Sequence, residues 1–495
     1  MKQKHLSTDL HRLCACYVIL LFSLFLFFLP QGGYAAITRE RYPLFLLLHV
    51  GFLTAAGVLA LLRRKLPGQR LRAVSPGQWA ALGYLLFTGL SAVFSAYSGT
   101  FLGNTRKEGL LTILLYVGTA LVLSEHLPFR PWMLHLAGAA VTVFCLLGMV
   151  QFSGANPFGL YPAGYDYFGA DVHYAGKYWS AMGNAGLCGG FLAMAAAGLF
   201  TAVLRKGGSF RWLLLPAGLS VFSLLELENE AGLLAVLLVL PLLLPVCVRT
   251  KKQLARGFFA LSALLLFAGL SLCLSISAQG CRLQTSGFPV LMAAILPMLA
   301  AILLDRCRWE PAPDKLRGLL ALILAAALLL ALAVVFLCDT LPGFLSEAHQ
   351  LLRGNWSDQF GSGRLYIWRR VSGLVPEHWL LGGGPDTLSL RGLSWKPTYQ
   401  AHLGMEVITR IDAAHNELLN ILVNQGLPAV LCYLTMLLWA AFRWWKSAAS
   451  DGCAICGAAA AAYVVQSFFG ISMFLCAPYF WLALAPLLKG EEHRL

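Results

Sequence analysis

The sequence predicts an all-α polytopic membrane protein with about 12–14 transmembrane helices and one long extracytoplasmic loop. Of its 495 residues, 58% are hydrophobic and only 12% are charged, and the mean hydropathy is +0.70. A soluble protein of this size carries about 25% charged residues. The chain also has successive apolar runs, each close to the ~20 residues that cross a hydrocarbon core ~30 Å thick.

These apolar runs set the predicted organisation of the chain. Fourteen of them are candidate spans: 14–30, 43–62, 79–97, 109–124, 132–152, 181–204, 212–226, 231–248, 257–277, 288–304, 317–338, 418–442, 454–470 and 473–488. Only a short gap at Gly470 separates the last two. We interpret residues 1–338 as a transmembrane scaffold with short loops, 339–412 as an extracytoplasmic catalytic loop, and 413–495 as C-terminal transmembrane helices.

The net charge of +14 is explained by the distribution of Lys and Arg among the loops. With the N-terminus placed inside, the inner loops and termini carry 24 of these residues and the short outer loops carry 6. Cytoplasmic loops are enriched in Lys and Arg. We therefore expect a multi-pass protein of the cytoplasmic (inner) membrane, with both termini cytoplasmic and residues 339–412 outside. Membrane lipids are the expected surroundings, and the charge requires no nucleic acid.

A second sizeable outer loop, 153–180, is rich in aromatic residues: Tyr161, Tyr165, Tyr167, Phe168, Tyr174, Tyr178 and Trp179. Aromatic side chains of this kind form belts at membrane interfaces. They also suit a surface on which sugars stack at the mouth of a cleft. The sequence leaves both interpretations open.

The long polar segment contains GSGRLYIWRR (361–370) and LLGGGPDTL (380–388). A helix over 364–375, at 100° per residue, places its apolar side chains on one half of the wheel. Arg369 and Arg370 fall on the other half, where water or lipid headgroups solvate them. Arg364 falls in the middle of the apolar half, so its guanidinium must reach the interface or meet an anion inside the protein.

The next motif, AHNELLNILVNQG (414–426), predicts the outer end of a long helix that continues down into the membrane. Counted from the cytoplasmic end, His415 would stand about 10 Å above the hydrocarbon, at the depth of lipid phosphates. Gly426 is about three turns below it, on the same line of the helix. Pro428 predicts a kink. Asparagines at four-residue spacing predict a polar stripe: Asn416, Asn420 and Asn424.

A histidine and arginines at this depth suit chemistry on a lipid-linked diphosphate. Arginine stabilises the charge of a departing diphosphate, and a histidine accepts the proton of an attacking sugar hydroxyl. The outer loops contain no D-x-D, and the first of them has only Glu40 as an acid. This argues against a metal- or carboxylate-dependent glycosyltransferase. Cys453 and Cys456 form a C-x-x-C without the second pair that a zinc site needs. We expect no metal and no cofactor.

Three motifs together resemble the O-antigen ligase and O-antigen polymerase superfamily: S-G-R-x-x-x-W (362–368), G-G-G-P-D (382–386) and H-N-E-L-L-N-x-L-x-x-x-G (415–426). Weaker similarity lies in TRKEGL (105–110) and GNAGLCGGFL (183–192). The resemblance implies an inverting membrane glycosyltransferase that needs no metal. It implies an undecaprenyl-diphosphate-linked oligosaccharide as donor and a glycan, lipid or wall-polymer hydroxyl as acceptor.

The resemblance also implies which residues form the site. The catalytic histidine of the family corresponds to His415, the helix glycine to Gly426 and the loop arginine to Arg364, with Arg370 as a second candidate. Four further candidates for substrate binding lie within or beside the same motifs: Arg369, Asn416, Asn184 and Asp386.

One departure from the family pattern lies near Ala231. Many relatives carry Ser-Arg there, whereas this chain has LELENEAG (225–232). We expect Arg106, from another outer loop, to take the place of the missing arginine. The acids in this stretch form a polar cap, assist a cationic or amino-sugar substrate, or bind a cation: Glu226, Glu228 and Glu230. Positions i, i+2 and i+4 do not share a helix face, which makes the cation site the weakest of these.

Two other functions remain open alongside glycan transfer. A flippase or other transporter of lipid-linked glycans would carry out no bond chemistry, but transporters usually have charges at the midplane and paired halves. This chain keeps its charges at the ends of the spans. A scaffold that has lost activity is supported only by the acidic replacement before Ala231. Whether the enzyme is a ligase or a polymerase, and which sugar it transfers, stays open.

Overall fold

The structure, a computed structural model, describes residues 2–64, 74–161, 178–277, 280–341, 343–395, 398–400, 405–447 and 450–490. Within these ranges the chain forms the following α-helices: α1 Lys2–Leu20, α2 Gly33–Arg64, α3 Pro76–Val93, α4 Leu110–His126, α5 Pro131–Phe152, α6 Ala185–Lys206, α7 Leu214–Glu226, α8 Glu230–Cys247, α9 Lys251–Cys273, α10 Phe288–Ala293, α11 Ile295–Arg306, α12 Pro313–Leu337, α13 Gly343–Leu352, α14 Arg364–Ser372, α15 Glu417–Gln425, α16 Leu427–Ser447, α17 Asp451–Ser467 and α18 Ala477–Leu488. A π-helical turn, Leu21–Phe25, continues α1, and 3₁₀ turns occupy Gly208–Leu213 and Leu388–Leu390.

The predicted fold class is confirmed. Ten helical segments of the described chain are long and apolar enough to cross a membrane: Thr8–Phe25, Gly33–Leu62, Pro131–Phe152, Ala185–Lys206, Gly208–Glu226, Glu230–Cys247, Lys251–Cys273, Phe288–Arg306, Pro313–Leu337 and Leu427–Lys446. Two shorter apolar helices, α4 and α18, accompany them. The two remaining predicted runs, 79–97 and 454–470, coincide with α3 and α17. The protein is thus a polytopic helical membrane protein.

Helix α6 forms the centre of the bundle and is buried over almost its whole length. It packs against α17, α7 and α8. Small residues allow this close packing, since a Cβ added at Gly190 would lie 2.9 Å from the Gln466 side chain of α17. Helix α12, in contrast, is almost entirely exposed at the edge of the bundle, as expected of a helix that faces lipid.

The two ends of the bundle are each held by contacts between segments distant in sequence. At the end predicted to lie outside, hydrogen bonds join Ser95 Oγ to Gly383 O at 2.6 Å, Asn104 Nδ2 to Asp386 O at 2.8 Å, and Asn229 Nδ2 to Ala185 O at 3.2 Å. Loops predicted to lie inside meet at the other end, where Lys206 Nζ lies 2.8 Å from Asp451 Oδ2. Which end faces the cytoplasm remains a prediction.

Two short antiparallel hairpins interrupt the predicted all-helical pattern. Strands β1 Leu274–Ser277 and β2 Gly280–Leu283 pair beyond the end of α9, and β3 Thr398–Gln400 pairs with β4 Met405–Val407 in the long loop. Backbone that leaves a helix must find other hydrogen-bond partners. Local pairing within a polar loop satisfies part of that need without adding a sheet to the bundle.

The predicted continuous helix through His415 is wrong. Helix α15 ends at Gln425, and α16 begins at Leu427 after Gly426, which has φ = +85°. A Cβ at Gly426 would lie 2.1 Å from the Leu380 carbonyl oxygen, so the long loop packs directly against this break. The break precedes Pro428, which sits in the first turn of α16, where proline is tolerated. His415 itself precedes α15.

The aromatic loop 153–180 is only partly described, since Tyr165, Tyr167, Phe168 and Tyr174 lie outside the described residues. Tyr161 and Tyr178 are buried. The Tyr178 hydroxyl donates to Cys145 O at 2.8 Å and lies 2.8 Å from Ser223 Oγ. These two tyrosines therefore hold the loop to the bundle, as core residues.

The long loop and α15 share a small hydrophobic core, separate from that of the bundle. Its buried members are Ile367, Val371, Leu388, Ile411, Ala414 and Val423. Helix α14 ends at Ser372, three residues earlier than predicted, and buries the two apolar positions that the helical wheel turned inward, Ile367 and Val371. This core fixes the position of α14 relative to the start of α15.

Candidate functional site

A small cavity lies where the loop before α4, the end of the long loop, α15 and the α17–α18 connection meet. Its volume is about 30 Å³, enough for about two water molecules. Besides Tyr84, its ionisable lining residues are Arg106, Glu108, Asp386, Asp412, His415 and Glu417. Three of them were predicted as site residues from separate motifs: Arg106, Asp386 and His415.

His415 sits at the turn that opens α15. Its backbone has φ = +50°, a left-handed conformation that residues other than glycine adopt rarely. The turn is held by Asn416, which caps α15 by accepting from Leu419 N at 2.9 Å. It is also held by Trp368 of α14, whose Nε1 donates to His415 O at 3.4 Å. No described residue hydrogen-bonds the imidazole ring, which leaves both ring nitrogens available to a substrate.

The electrostatic environment keeps His415 neutral. The pKa of its imidazole is lowered to about 4, mainly by burial and also by the positive charges of Arg106 and Arg364, while Asp412 opposes the shift. An imidazole with this pKa is unprotonated at pH 7 and can accept a proton. Arg106 lines the same cavity as His415, whereas Arg364 lies outside the cavity and acts on the ring through its charge.

Arg106 reaches the cavity from a turn built around Asp386. The Asp386 Oδ2 atom accepts from the backbone N–H groups of Arg106 at 3.2 Å and Glu108 at 3.4 Å. Burial raises the pKa of the Asp386 carboxyl to about 6, against the effect of these hydrogen bonds. Arg106 Nη2 donates to Asp412 Oδ1 at 2.7 Å, while its buried Nε has no partner among the described residues. Asp386 therefore shapes the turn, and Arg106 keeps a free donor.

Arg364 opens α14 and is half-buried, as the helical wheel predicts. Its Nη1 donates to Gly361 O at 2.7 Å, and its buried Nε is likewise without a partner in the described chain. Burial lowers the pKa of Arg364, and the charges of Glu230 and Glu347 oppose this. Arg106 and Arg364 thus each have a buried guanidinium N–H without a partner in the described chain, and the charge of each acts on His415. An unsatisfied buried donor is costly, and an anion would satisfy it.

The three acids before Ala231 have different surroundings. Glu226 accepts from Ser271 Oγ at 2.6 Å, and Glu230 lies near enough to Arg364 to influence its pKa. Asn229, between them, caps α8 by accepting from Gly232 N at 2.7 Å. Within the described ranges, no three His, Cys, Asp or Glu side chains are grouped so that they could hold a metal ion.

Five predicted site residues do not line the cavity: Arg364 is one, and the other four are Arg369, Arg370, Asn184 and Asn416. Arg369 is exposed and forms an ion pair with Asp358 at 2.7 Å, and Arg370 is exposed on the same face of α14. Asn184 caps α6 by accepting from Leu187 N at 3.2 Å, just as Asn416 caps α15. The two arginines follow the helical wheel, which turned them away from the apolar half, and both asparagines are committed to helix ends.

Two further carboxyl groups of the cavity, those of Glu108 and Glu417, were not predicted as site residues from the sequence. Glu108 accepts from the Tyr116 hydroxyl at 2.8 Å, and burial raises the pKa of its carboxyl to about 8. Burial raises the pKa of Glu417 to about 7, its hydrogen bond to Ser472 opposes the shift, and its Oε2 has no partner in the described chain. Both acids stand within the quoted motifs, two residues after Arg106 and two after His415. Their position so close to Arg106 and His415 in the sequence is the feature that could have identified them.

Arg391 was also overlooked, and it supports the site from outside. Its Nη1 donates to Val423 O at 2.8 Å, and its Nη2 donates to Thr387 Oγ1 at 2.7 Å and Asn424 Oδ1 at 3.1 Å. These bonds join the Gly-Gly-Gly-Pro-Asp segment to the last turn of α15. Nothing in the spacing of the motifs distinguishes Arg391 from the other loop arginines.

The family model described as O-Antigen ligase matches residues 273–434, about a third of the chain. The matched region contains Arg364, Asp386 and His415, whereas Arg106 lies before it. No curated protein matches the sequence. This match supports the predicted resemblance to the O-antigen ligase and polymerase superfamily and, with it, a role for this membrane protein in polysaccharide biosynthesis.

Proposed function

We propose that the protein transfers a glycan from an undecaprenyl-diphosphate-linked donor to an acceptor hydroxyl on the outer face of the cytoplasmic membrane. The observation that carries this proposal is the setting of His415, whose unbonded imidazole is held neutral by burial and by the charges of two arginines with unsatisfied donors. Neither a structural histidine nor a headgroup contact requires that combination.

The arginines are the proposed anion site. Arg106 and Arg364 each offer a buried N–H that lacks a partner among the described residues, and guanidinium groups bind diphosphate oxygens through paired hydrogen bonds. Charge grows on the diphosphate as it leaves the sugar, so fixed positive groups stabilise the transition state more than the ground state. Since the cavity is small, the diphosphate occupies its mouth and the glycan extends into the outer aqueous space.

His415 is the proposed general base. As the acceptor oxygen attacks the anomeric carbon, its proton passes to the neutral imidazole. The new carbon–oxygen bond forms while the bond from the anomeric carbon to the diphosphate oxygen breaks, and the lipid diphosphate leaves with that electron pair. Attack from the face opposite the leaving group inverts the anomeric configuration. Asn416 and Trp368 support this role because they hold the backbone turn that presents the ring.

The site geometry also supports the proposed arrangement in the membrane. The loops that carry Arg106, Arg364 and His415 share one end of the bundle, the end that the Lys and Arg distribution assigns to the outside. Residues 339–412 then form the catalytic loop above the scaffold of residues 1–338, and 413–495 return the chain to the cytoplasm.

A transfer assay in detergent distinguishes this enzyme from a flippase. The purified full-length protein is mixed with an undecaprenyl-diphosphate-linked oligosaccharide extracted from the source cells and with acceptor glycan from the same cells. We expect a new glycosidic product and one released undecaprenyl diphosphate for each bond formed. A flippase produces neither, because detergent removes the two compartments. Donor movement across vesicles by a protein without transfer activity would contradict the proposal.

A further inference from the structure

A polar groove adjoins the His415 cavity. Two open depressions, of about 540 Å³ and about 550 Å³, share Ser389, Leu390 and Arg410 in their walls and so form one continuous groove, here called the Arg410 groove. The first depression also includes Asp412, which lines the His415 cavity. The groove therefore leads from the proposed base out over the long loop. Each depression has the volume typical of a ligand site.

The walls of the Arg410 groove come from two segments and combine polar side chains with apolar surface. The turn before α4 contributes Asn104, Thr105 and Lys107, and the long loop contributes Ser389, Ser394 and Arg410. The Ser389 hydroxyl is buried without a partner in the described chain. Hydroxyl and amide groups beside small apolar surfaces are what a sugar chain needs for binding.

The charges of the groove are unbalanced. Lys107 and Arg410 form no ion pair with any described carboxylate. Asp412 is the only acid among the wall residues, and Arg106 already neutralises it at 2.7 Å. Lys107 is fixed in a left-handed conformation with φ = +60°, and a β-bridge between Ser394 and Arg410 fixes the backbone of the opposite wall. Two cations therefore face the groove from well-defined backbone positions.

We infer that the Arg410 groove binds the acceptor glycan and selects one that carries an anionic group, a carboxylate or a phosphate, on its sugars. The inference rests on the proposed transfer reaction, in which the acceptor must reach His415 from a direction that the donor diphosphate does not occupy. The groove offers that path because Asp412 lines both the groove and the His415 cavity. An anionic sugar would pair with Lys107 and Arg410, and its hydroxyls would satisfy Ser389.

Binding of defined tetrasaccharides to the full-length protein in detergent tests the inference. The probes are fluorescent tetragalacturonate, phosphorylated maltotetraose and uncharged maltotetraose, titrated at low ionic strength. We expect at least one anionic probe to bind about tenfold more tightly than maltotetraose, since hydrogen bonds to charged groups are the stronger ones. Arg410→Gln and Lys107→Gln should each remove most of this preference. Arg39→Gln, at an exposed cation of another predicted outer loop, should leave it unchanged.

Equal affinity for all three probes would overturn the inference, and so would an equal loss in Arg39→Gln and Arg410→Gln. His415→Ala separates this result from the reaction itself, because it should abolish transfer while the charge preference persists. If the His415→Ala protein still transferred glycan, the proposed reaction would be wrong, but the binding result would still hold. Transfer that depends on His415 but shows no charge preference would end only the groove assignment.

Discussion

Arg106 and Asp412 lie 306 positions apart in the chain and form an ion pair with an Nη2–Oδ1 distance of 2.7 Å. Both side chains are largely buried, 17% and 24% exposed. A diphosphate bound by Arg106 would compete with Asp412 for the same guanidinium. Donor binding would thus release the Asp412 carboxylate to act on His415, whose pKa it raises. The ion pair links occupancy of the anion site to the strength of the base.

Asp412→Asn tests this link. Removing the carboxylate leaves both arginines unopposed, so the pKa of His415 falls further and the imidazole becomes a weaker base. We expect kcat to fall by about tenfold, a change of ~1.4 kcal/mol in the barrier. The acid limb of the pH–rate profile should move to lower pH, and Asp412→Glu should restore part of kcat. A lower kcat with an unchanged acid limb of the pH–rate profile would mean that Asp412 has only a structural role.

The pH dependence of the wild-type reaction follows from His415. A base with a pKa of about 4 is competent above that pH, so kcat/KM should stay level down to about pH 5 and fall only below it. The bound diphosphate adds negative charge near the ring and raises the pKa of His415. The acid limb of the kcat profile should therefore lie at higher pH than the acid limb of the kcat/KM profile. Recovery of activity after return to pH 7 controls for unfolding. An acid limb of kcat/KM near 6.5 would contradict this environment for His415.

Glu417→Gln should change stability in a pH-dependent way. Burial raises the folded-state pKa of Glu417 to about 7, above its usual value of 4.5, so folding favours the neutral acid. The wild-type protein loses this contribution as pH rises from about 4.5 through 7, whereas a glutamine stays neutral. Melting curves in detergent should show a Tm about 2 °C higher for the variant at pH 8 and little difference at pH 5. The opposite pattern would mean that the charged carboxylate has a partner in the folded protein.

Some parts of this structure were predictable from the sequence, and the physical reason differs from part to part. The spans were predictable because the bilayer fixes their length and composition. The inward position of Arg364 was predictable because α14 is a regular helix whose apolar half includes Ile367 and Val371. In both cases the pattern of apolar residues along a short stretch of sequence determines the structure.

The parts that were missed depend on contacts between distant segments. The break at Gly426 arises because the loop at Leu380 packs against it, and a helical pattern cannot report that contact. The cavity position of Glu108 and Glu417 depends on how the turn before α4 meets α15. The bonds of Arg391 to Val423 and Asn424 are equally non-local. Periodicity carries no information on such pairings.

Arg364→Lys tests the proposed anion site. A lysine keeps the charge but loses the planar set of donors that binds two phosphate oxygens at once. We expect kcat/KM for the donor to fall by about tenfold to a hundredfold, the loss of one or two charge-assisted hydrogen bonds. Arg353→Lys is the matched control, because Arg353 is an exposed arginine of the same long loop, paired with Asp339 at 2.9 Å. Equal activity of the two variants would mean that Arg364 does not bind the donor diphosphate.

The role of His415 is measured most directly in single-turnover transfer by His415→Ala, with enzyme in excess over the lipid-linked donor. His378→Ala, at an exposed histidine of the long loop, is the control. We predict that His415→Ala slows transfer at least ~100-fold, the range of a general base, while its donor affinity and melting temperature stay close to those of His378→Ala. Transfer by His415→Ala at the rate of the control would contradict the account.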